Sequence, residues 1–473
     1  MPHLEPLLRR PGAGSIAILV AIWVLAGCGF RGAERPSIVL IVADTLRADF
    51  LGLRGTGGPD VTPALDGFAG RAVDFRRAFA AAPWTKPSVA SLLTGVHPAV
   101  HGVTNHDGHF WSGGESAANR TGAVPQALTT IAEALRAAGY RTAGFVANEW
   151  LARGYGFEQG FDHYEDDIPS DLPGAAFERA DRWLAEHAAG GPFFVYVHAM
   201  EPHGPYDAPV RFVDVARRAA LGDSRPLTDA EYESIPEYLR DPAWSAAPAA
   251  RDLLEWRVRY AAGVAAFDRG LGIFLERLER RGVLEDAAVI LTADHGEELL
   301  EHGGWDHGRT LYDEQLHVPL LLLLPGAEPR QVEDVVSLVD LHPTLLELAG
   351  LAAAADADDA SSLLPLVRGQ GTRPTRSALA MATKWRPDLH AIRTADHKLI
   401  LDMATGAGVL FDLASDPGER RSAAADQREV ADDYARRLLA RTLRMRGRAV
   451  AAEDAPLDAS TIEALAALGY VDE

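Results

Sequence analysis

The chain has 473 residues, of which 47% are hydrophobic and 24% charged, a composition typical of a globular protein with a large core. Its 67 acidic and 46 basic residues give a formal charge of −21, which excludes binding of nucleic acid or anionic lipid through a general basic surface. An anionic ligand must therefore be held by local cations, a metal ion or helix ends. The length fits one large domain with an appendage, or two to three domains.

The N-terminus has the pattern of a targeting segment. Arg9 and Arg10 precede an apolar run at 15–27, which is short for a membrane span and typical of a signal-peptide core. The run continues into LAGC, which resembles the lipobox of bacterial lipoproteins, where cleavage precedes a cysteine that carries the lipid. We therefore predict a signal peptide over 1–27 and a lipid on Cys28 that anchors the protein to the bacterial cell envelope, outside the cytoplasm. An uncleaved anchor is the alternative. Cys28 is the only cysteine, so no internal disulfide can form.

Apolar runs without alternation predict buried strands farther along the chain. These runs lie at 38–43, 192–199, 287–296 and 318–326. Helical patterns separate them. One begins with Thr130 and Glu133 at capping-box spacing, and a longer amphipathic one ends at Gly282. Strands that alternate with helices predict an α/β fold with a large, mostly parallel sheet sandwiched by helices.

The pattern changes beyond about residue 375. Short alternating strands and turns fill 389–422, and an arginine-rich helical pattern begins at Arg428. This succession predicts a small antiparallel sheet with a helix packed on it. After the signal peptide, the predicted units are a linker over 28–36, a main domain over 37–375 and a C-terminal subdomain over 376–473.

Acidic and imidazole side chains follow three of the predicted strands. Asp44 follows the first strand, His203 comes shortly after the second, and Asp294 and His295 follow the third. In open α/β sheets, ligands bind beyond the carboxyl ends of the strands, so we expect these residues to lie near one another. Each alone could merely cap a helix. Together, carboxylate oxygens and imidazole nitrogens predict a divalent-metal site.

Several motifs resemble the sulfatase branch of the alkaline phosphatase superfamily, in the same order along the chain. They are IVLIVADTLRADFLG, TPALDGFAGRAVDFRRAFAAAPWTKPSVASLLTG, YVHAMEPHGPY and LTADHGEELLEHGGWDHGRTLYDEQLHVPL, and LFDLASDPGE resembles the marker of the C-terminal subdomain in that family. The resemblance runs from about Ser37 to Leu348 and then into the tail. It implies an alkaline phosphatase-like fold and hydrolysis of sulfate or phosphate esters.

The resemblance also implies a metal-ligand set. Asp44, Asp294 and His295 match metal ligands of the family, and Thr45 stands at a second ligand position where many relatives have Asp. The implied cofactor is one divalent metal ion. Aspartate oxygens suit Ca²⁺, as in sulfatases, whereas His295 shifts the preference toward Zn²⁺ or Mn²⁺.

Four further residues match positions that handle the substrate. Thr85 occupies the nucleophile position, and we expect its oxygen to be accessible and close to the metal site. His203 matches the histidine of the PHxPY motif, and His307 stands where relatives have a substrate-binding Lys or His. We expect both rings to be protonated. Asn148 lies near the place of a sulfatase lysine.

Thr85 and Val89 depart from the sulfatase pattern C/S-x-P-S-R, in which Cys or Ser is oxidised to formylglycine. Threonine is β-branched and cannot give the aldehyde, so the route in which an aldehyde hydrate expels sulfate is closed. Water must attack the esterified centre itself, which is natural for phosphorus and difficult for sulfate. Relatives with threonine at this place handle phosphoryl groups, among them phosphoethanolamine transferases.

The sequence therefore predicts a metal-dependent hydrolase of sulfate or phosphate esters, with phosphorus esters favoured and a covalent intermediate on Thr85. The expected substrate is an anionic ester, such as one on a glycan or a lipid headgroup. A transferase is one alternative, although such transferases carry several transmembrane helices that this sequence does not show. A non-catalytic glycan-binding lipoprotein is the other alternative. Thr85 alone could also be read as the cap of the helix that follows it.

Overall fold

The computed structural model of the protein describes residues 35–54, 61–104, 120–219, 228–234, 252–352, 359–372, 376–385, 387–450 and 453–456. The predicted signal peptide, Cys28 and most of the predicted linker lie outside these ranges. Within them, no helix combines the length and the apolar character that crossing a membrane requires.

The strands are numbered in chain order. They are β1 (Ile38–Ala43), β2 (Val73–Phe79), β3 (Arg120–Ala123), β4 (Arg141–Val146), β5 (His163–Glu165), β6 (Phe193–Ala199), β7 (Ala288–Ala293), β8 (Glu298–Leu299), β9 (Trp305–Asp306), β10 (His317–Val318), β11 (Leu320–Leu323), β12 (Arg330–Ser337), β13 (Ala378–Ala380), β14 (Leu389–Arg393), β15 (His397–Asp402), β16 (Gly408–Asp412) and β17 (Glu453–Pro456).

The α-helices are numbered in the same way. They are α1 (Pro63–Ala69), α2 (Thr85–Thr94), α3 (Pro98–His101), α4 (Ile131–Ala137), α5 (Ala175–His187), α6 (Val210–Arg218), α7 (Asp229–Ser234), α8 (Leu253–Arg280), α9 (Val283–Asp286), α10 (Asp313–Leu316), α11 (Leu341–Leu348), α12 (Leu364–Val367) and α13 (Arg428–Arg446). Short 3₁₀ turns lie at Ala48–Phe50, Gly52–Arg54, Glu149–Leu151 and Leu338–Asp340.

A nine-stranded sheet forms the centre of the main domain. Its order is β10-β2-β11-β7-β1-β6-β4-β5, and β12 also pairs with β2. The strands β7, β1, β6, β4 and β5 are parallel neighbours, whereas β11 runs antiparallel between β7 and β2. Every residue of β1 is buried, which explains its unbroken apolar sequence. The predicted α/β class with a mostly parallel sheet is confirmed.

The register of the central strands determines where the site lies. Ala43, at the end of β1, pairs with Ala199 of β6 on one side and with Ala293 of β7 on the other. The residues that follow these three strands therefore emerge side by side at one edge of the sheet.

The run at 318–326 differs from the single strand that we expected. It forms two short strands, β10 and β11, on either side of Pro319, both antiparallel to their neighbours. Proline has no backbone N–H to donate, so it interrupts the ladder.

A second, four-stranded antiparallel sheet has the order β13-β14-β15-β16. The helix α13 packs against β14 and β15, with Leu438 and Met445 among the side chains of the small core between them. The main domain adds Val100 to that core. The small antiparallel sheet with a helix is thus confirmed, while the domain boundaries remain predictions. The strand β17 pairs with β3 of the main domain, so the chain returns to it.

Candidate active site

Three side chains converge at the carboxyl edge of the central strands. Asp44 follows β1, and Asp294 and His295 follow β7, and all three are buried. The Nε2 atom of His295 lies 3.5 Å from Asp44 Oδ1 and 3.5 Å from Asp294 Oδ2. The structure therefore brings together the three residues that the sequence singled out as metal ligands.

The atoms that face one another in this cluster are all acceptors. Asp44 Oδ1 and Asp294 Oδ2 are buried and take no hydrogen bond from the residues that the structure describes. His295 donates from Nδ1 to the Gly296 carbonyl oxygen at 2.8 Å. Burial lowers the pKa of His295 to about 4, although the charge of Asp294 acts to raise it. The ring is therefore neutral, and Nε2 carries a lone pair. Acceptors that converge in a buried space repel unless a cation lies between them, so this donor set fits a divalent metal ion.

A further imidazole, which the sequence analysis missed, lies beside the same carboxylates. His198 is a buried residue of β6, and its Nε2 lies 3.6 Å from Asp294 Oδ2 and 4.0 Å from Asp44 Oδ2. Burial by itself would raise the pKa of Asp294, but His295 and His198 lower it to about 2. Burial and the Asp294 charge raise the pKa of Asp44. The one available signal for His198 was a polar residue inside an apolar strand.

Thr45 holds the turn that follows β1, where its φ is 59°. Its N–H lies 3.3 Å from Asp294 Oδ1, to which it donates, and its hydroxyl donates to the Asp44 carbonyl oxygen at 2.7 Å. The hydroxyl of Tyr260 donates to the Thr45 carbonyl oxygen at 2.7 Å. These bonds hold the Asp294 carboxylate and the backbone of the turn that carries Asp44. The role of Thr45 as a metal ligand remains a prediction.

Thr85 is the first residue of α2 and lies against the same cluster. Its Oγ1 is 3.3 Å from His295 Nε2 and 3.5 Å from Asn148 Nδ2. Asn148 also donates from Nδ2 to Asp44 Oδ2 at 2.6 Å, and its own Oδ1 accepts the N–H of Trp150 at 2.8 Å. Asn148 therefore links the hydroxyl of Thr85 to a carboxylate of the metal cluster.

The hydroxyl of Thr85 does not cap the helix that it begins. The N-cap of α2 is Trp84, and no side chain caps that end. The expectation of an accessible hydroxyl is wrong, because Thr85 is only 1% exposed. The rings of Trp84 and Trp150, edge to face with centroids 5.9 Å apart, flank this region. A substrate reaches Thr85 only if neighbouring groups move.

His307 follows β9 and is held by two carboxylates. Its Nδ1 lies 2.8 Å from Asp306 Oδ1 and 3.1 Å from Glu297 Oε1, while Tyr206 donates its hydroxyl to Glu297 Oε2 at 2.8 Å. Burial alone would lower the pKa of His307, but the charges of Asp306 and Glu297 raise it to about 10. The ring is therefore an imidazolium, and its centre lies 4.4 Å from that of His295. Glu297 and Asp306 are further site residues that the sequence analysis missed.

His203 lies after β6, with its ring centre 5.1 Å from that of His307. Its Nδ1 donates to the Gly204 carbonyl oxygen at 2.7 Å. Burial, followed by the charge of His307, lowers the pKa of His203 to about 3. The expectation that both rings are protonated is therefore correct for His307 and wrong for His203. A buried imidazole next to an imidazolium stays neutral.

Comparison with known proteins identifies the family of the chain. Residues 36–351 match the family model "Sulfatase", and residues 300–445 match the model "N-sulphoglucosamine sulphohydrolase, C-terminal". An ulvan-active sulfatase from Formosa agariphila is 27% identical over 433 residues, which cover 82% of this chain and 77% of that protein. A choline-sulfatase from Rhizobium meliloti is 27% identical over 470 residues, which cover 84% of each.

Solved structures share the fold at lower identity. A structure in complex with its substrate D-glucosamine-2-N,6-O-disulfate superposes with a TM-score of 0.69 at 19% identity, over 88% of this chain and 98% of that one. The phosphonate monoester hydrolase of Agrobacterium radiobacter gives a TM-score of 0.67 at 24% identity, over 87% and 96%. Because the family model spans more than half of the chain, this protein belongs to the sulfatase family of the alkaline phosphatase superfamily and is an ester hydrolase of that family.

Proposed function

We propose that this protein is a metal-dependent hydrolase of phosphorus esters that acts through a covalent intermediate on Thr85. The observation that carries the proposal is the position of Thr85 Oγ1, 3.3 Å from His295 Nε2, next to a cluster with two unpaired carboxylate oxygens. The hydroxyl plays no part in capping its helix, and its partners are instead two residues of the site, His295 and Asn148.

The choice of phosphorus rests on the side chain of Thr85. Its branched Cβ excludes the aldehyde of formylglycine, so the intermediate is an ordinary ester that water must cleave at the central atom. Val89, at the place of the sulfatase arginine, is fully buried among the apolar residues of the core. This helix therefore offers no arginine to a sulfate group.

Asp44, Asp294 and His295 would hold the metal ion, which when bound supplies positive charge that favours the ionised form of the Thr85 hydroxyl. The oxygens of two aspartates are compatible with Ca²⁺, and the imidazole of His295 favours Zn²⁺ or Mn²⁺. The hydrogen bonds of Thr45 and Asn148 would keep the two carboxylates in place.

The first step transfers the phosphoryl group to the protein. The Thr85 hydroxyl loses its proton to a water molecule that enters with the substrate, its oxygen forms a bond to phosphorus, and the bond from phosphorus to the leaving oxygen breaks. His307, held as an imidazolium by Asp306 and Glu297, gives its proton to that leaving oxygen. Solvent then returns a proton to His307.

The second step releases phosphate. His203 is neutral and donates from Nδ1 to Gly204, so its Nε2 can accept a proton from the attacking water. The water oxygen binds phosphorus, the bond from phosphorus to Thr85 Oγ1 breaks, and the proton taken up by His203 passes to the threonine oxygen. Atoms and charges then balance for hydrolysis of one ester bond.

Sulfate esters are the second candidate, and the curated relatives favour them. The two reported above are an ulvan-active sulfatase and a choline-sulfatase, while the phosphonate monoester hydrolase supports only a shared fold.

We also propose that the LAGC motif at Cys28 anchors the enzyme to the cell envelope, where esters on glycans or lipid headgroups would be its substrates.

The test is turnover of nitrophenyl sulfate, phosphate, phosphonate and phosphodiester substrates by the full chain with added Mn²⁺, Zn²⁺ or Ca²⁺. We expect phosphorus esters to react fastest and Thr85→Ala to lower turnover at least about a hundredfold. Mass spectrometry of quenched protein should find phosphate on the peptide that contains Thr85. Thr94→Ala is the matched control, since Thr94 is buried in the same helix and donates only to Ala90. A preference for sulfate over every phosphorus ester would overturn the proposal.

A further inference from the structure

Lys384 belongs to the C-terminal subdomain, just after β13, yet it contacts the main domain beside the site. Its N–H donates to the Gly308 carbonyl oxygen at 2.7 Å, and Gly308 directly follows His307. The approach is close, because a Cβ on Gly308 would lie 2.9 Å from the Cβ of Lys384. Lys384 is only 7% exposed, so its side chain runs through the interior of the protein.

The ammonium of Lys384 lies among aromatic rings whose neighbours are site residues. Its Nζ is 5.9 Å from the ring centre of Trp84, which precedes Thr85, and 5.7 Å from that of Trp150. The backbone N–H of Trp150 donates to Oδ1 of Asn148. These rings and the Gly308 segment come from three separate parts of the chain. Lys384 is therefore enclosed by segments that carry Thr85, Asn148 and a histidine of the site.

The charges around Lys384 leave room for an anion. Burial lowers the pKa of Lys384 to about 7, and Asp306 is the carboxylate that opposes this effect. Asp306 already accepts from His307 at 2.8 Å, and Glu297 faces the same ring at 3.1 Å. Besides burial, the charge of Arg309 lowers the pKa of Lys384, so two carboxylates face three cations. Such an arrangement favours an added negative charge between the cations.

Another buried lysine, Lys86, has surroundings of a different kind. Its Nζ lies 4.1 Å from the ring centre of Tyr155 and 5.2 Å from that of Trp150, and its pKa is lowered well below the usual value by burial. No carboxylate acts on it among the causes of that shift. The aromatic enclosure of Lys86 is typical of a cation–π contact within a core, whereas Lys384 shares its carboxylate with a site histidine.

We propose that Lys384 binds the substrate, donating a charge-assisted hydrogen bond to a non-bridging oxygen of the phosphoryl or sulfuryl group while Thr85 attacks. This inference deepens the proposed function and rests on the same site. It assigns to the C-terminal subdomain the positive charge that Val89 and Asn148 do not supply where sulfatases have arginine and lysine.

The experiment compares binding of inorganic phosphate and inorganic sulfate to the Mn²⁺-loaded full chain by calorimetry, alongside KM and kcat for the best nitrophenyl ester. We expect Lys384→Met to weaken binding of the preferred oxyanion and to raise KM by about ten- to a hundredfold, the scale of one lost charge-assisted bond. Lys384→Arg should restore part of the affinity. The control is Lys398→Met, which removes a buried lysine of the same subdomain that pairs with Asp313 and Glu419. It should lower stability and, at temperatures well below its melting point, leave oxyanion affinity within about twofold.

The outcomes separate this inference from the proposed function. If Lys384→Met binds both oxyanions as tightly as the wild type, Lys384 is only a packing residue and the inference fails, whichever ester is the substrate. If the wild-type protein binds neither oxyanion, the anion site itself is refuted. Failure of the proposed function has a different signature, namely full turnover by Thr85→Ala. The melting temperature of Lys384→Met without oxyanion shows whether the variant is folded, and Lys384→Gln replaces it if it is not.

Discussion

Two buried groups of charged residues in this protein differ in how their carboxylates are neutralised. In the metal cluster (Asp44, Asp294 and His295), two carboxylate oxygens have no hydrogen bond from the described residues. In a second group, which we call the docking cluster, Lys398 Nζ lies 2.8 Å from Asp313 Oδ1 and 2.9 Å from Glu419 Oε1.

The docking cluster joins the two parts of the molecule. Asp313 is the first residue of α10 in the main domain, and Arg393 of β14 adds a second cation at 3.0 Å from its Oδ2. Burial alone would raise the pKa of Asp313, but Arg393 and Lys398 lower it strongly. Here the chain supplies its own cations within 3.0 Å of the carboxylates, so the role of the cluster is structural.

The comparison shows that the partners of a buried carboxylate indicate whether its role is structural or functional. A protein that needs only stability pairs such a group with Lys or Arg, because an unpaired buried charge is costly. The metal cluster violates this rule at Asp44 and Asp294, and the violation lies beside a threonine hydroxyl. Burial alone would lower the pKa of His198, but Asp294 and Asp44 raise it, so this imidazole offsets part of their charge. We propose that a cation from outside the chain supplies the rest.

Removing that external cation should have the largest effect. We expect a chelator to lower ester turnover at least about a hundredfold, and Asp294→Asn to do the same at all metal concentrations. Metal ion at a hundred times its dissociation constant should stabilise the wild type by about 2.7 kcal/mol through linkage. Thermal unfolding with and without Mn²⁺ measures this shift, which Asp294→Asn should abolish.

The docking cluster provides the control for that experiment. Asp313→Asn should keep the stabilisation by metal, because Asp313 pairs with Arg393 and Lys398 and contributes no atom to the metal cluster. An equal loss of the metal-induced shift in Asp313→Asn and Asp294→Asn would contradict the distinction between the two clusters.

The next effect concerns stability in chelator, where the two clusters should respond with opposite sign. Asp313→Asn leaves Arg393 and Lys398 short of one carboxylate and should lower the free energy of unfolding by about 3 kcal/mol. Asp44→Asn removes a buried carboxylate, of which only Oδ2 accepts a hydrogen bond, from beside Asp294 and should leave stability unchanged or raise it by up to about 2 kcal/mol. Urea titrations of the metal-free proteins measure both values. A loss as large for Asp44→Asn as for Asp313→Asn would show that the metal cluster is satisfied by the protein itself.

The sequence predicted the centre of the sheet better than its flanks. Strand β1 matches its predicted span, and β6 and β7 lie within theirs, because parallel strands buried on both faces are continuously apolar. Strands β2 and β12 carry charged residues and show no such run, so they were missed. Their place in the sheet is decided by pairing with each other, which a local pattern does not report.

The site shows the same limit. Asp44, Asp294 and His295 could be found because each follows a recognisable strand. His198 was missed because it lies inside β6, whose other residues are apolar and predict only a buried strand. Lys384 was missed because its segment carries no motif and reaches the site only through docking of the C-terminal subdomain. Protonation states were also out of reach, since His203 and His307 differ only in their buried surroundings.

The smallest predicted effect is a pH dependence within the docking cluster. Burial raises the pKa of Glu419 to about 7, although Lys398 opposes this. A carboxyl group with a raised pKa in the folded state stabilises fully below its unfolded pKa of about 4.3, and that contribution is lost as the pH rises through 7. The loss is at most about 1.4 kcal/mol per pH unit. The pKa of Asp313 is lowered, so its stabilisation is fully present above its unfolded pKa of about 3.9 and is lost as the pH falls below that value. Asp313 itself therefore adds no slope above about pH 5.

Glu419→Gln should therefore remove part of the decline in unfolding free energy between pH 5 and about pH 8. Asp313→Asn should shift the whole curve down and also flatten part of this decline, because the charge of Asp313 helps to raise the pKa of Glu419. Denaturant titrations at several pH values in chelator measure both curves. Using chelator keeps the metal cluster from adding its own proton release on binding. If the curves of unfolding free energy against pH for Glu419→Gln and the wild type are parallel across this range, the pKa of Glu419 is not raised. Lys398 then keeps Glu419 fully ionised, and both carboxylates of the docking cluster are neutralised by cations of the chain.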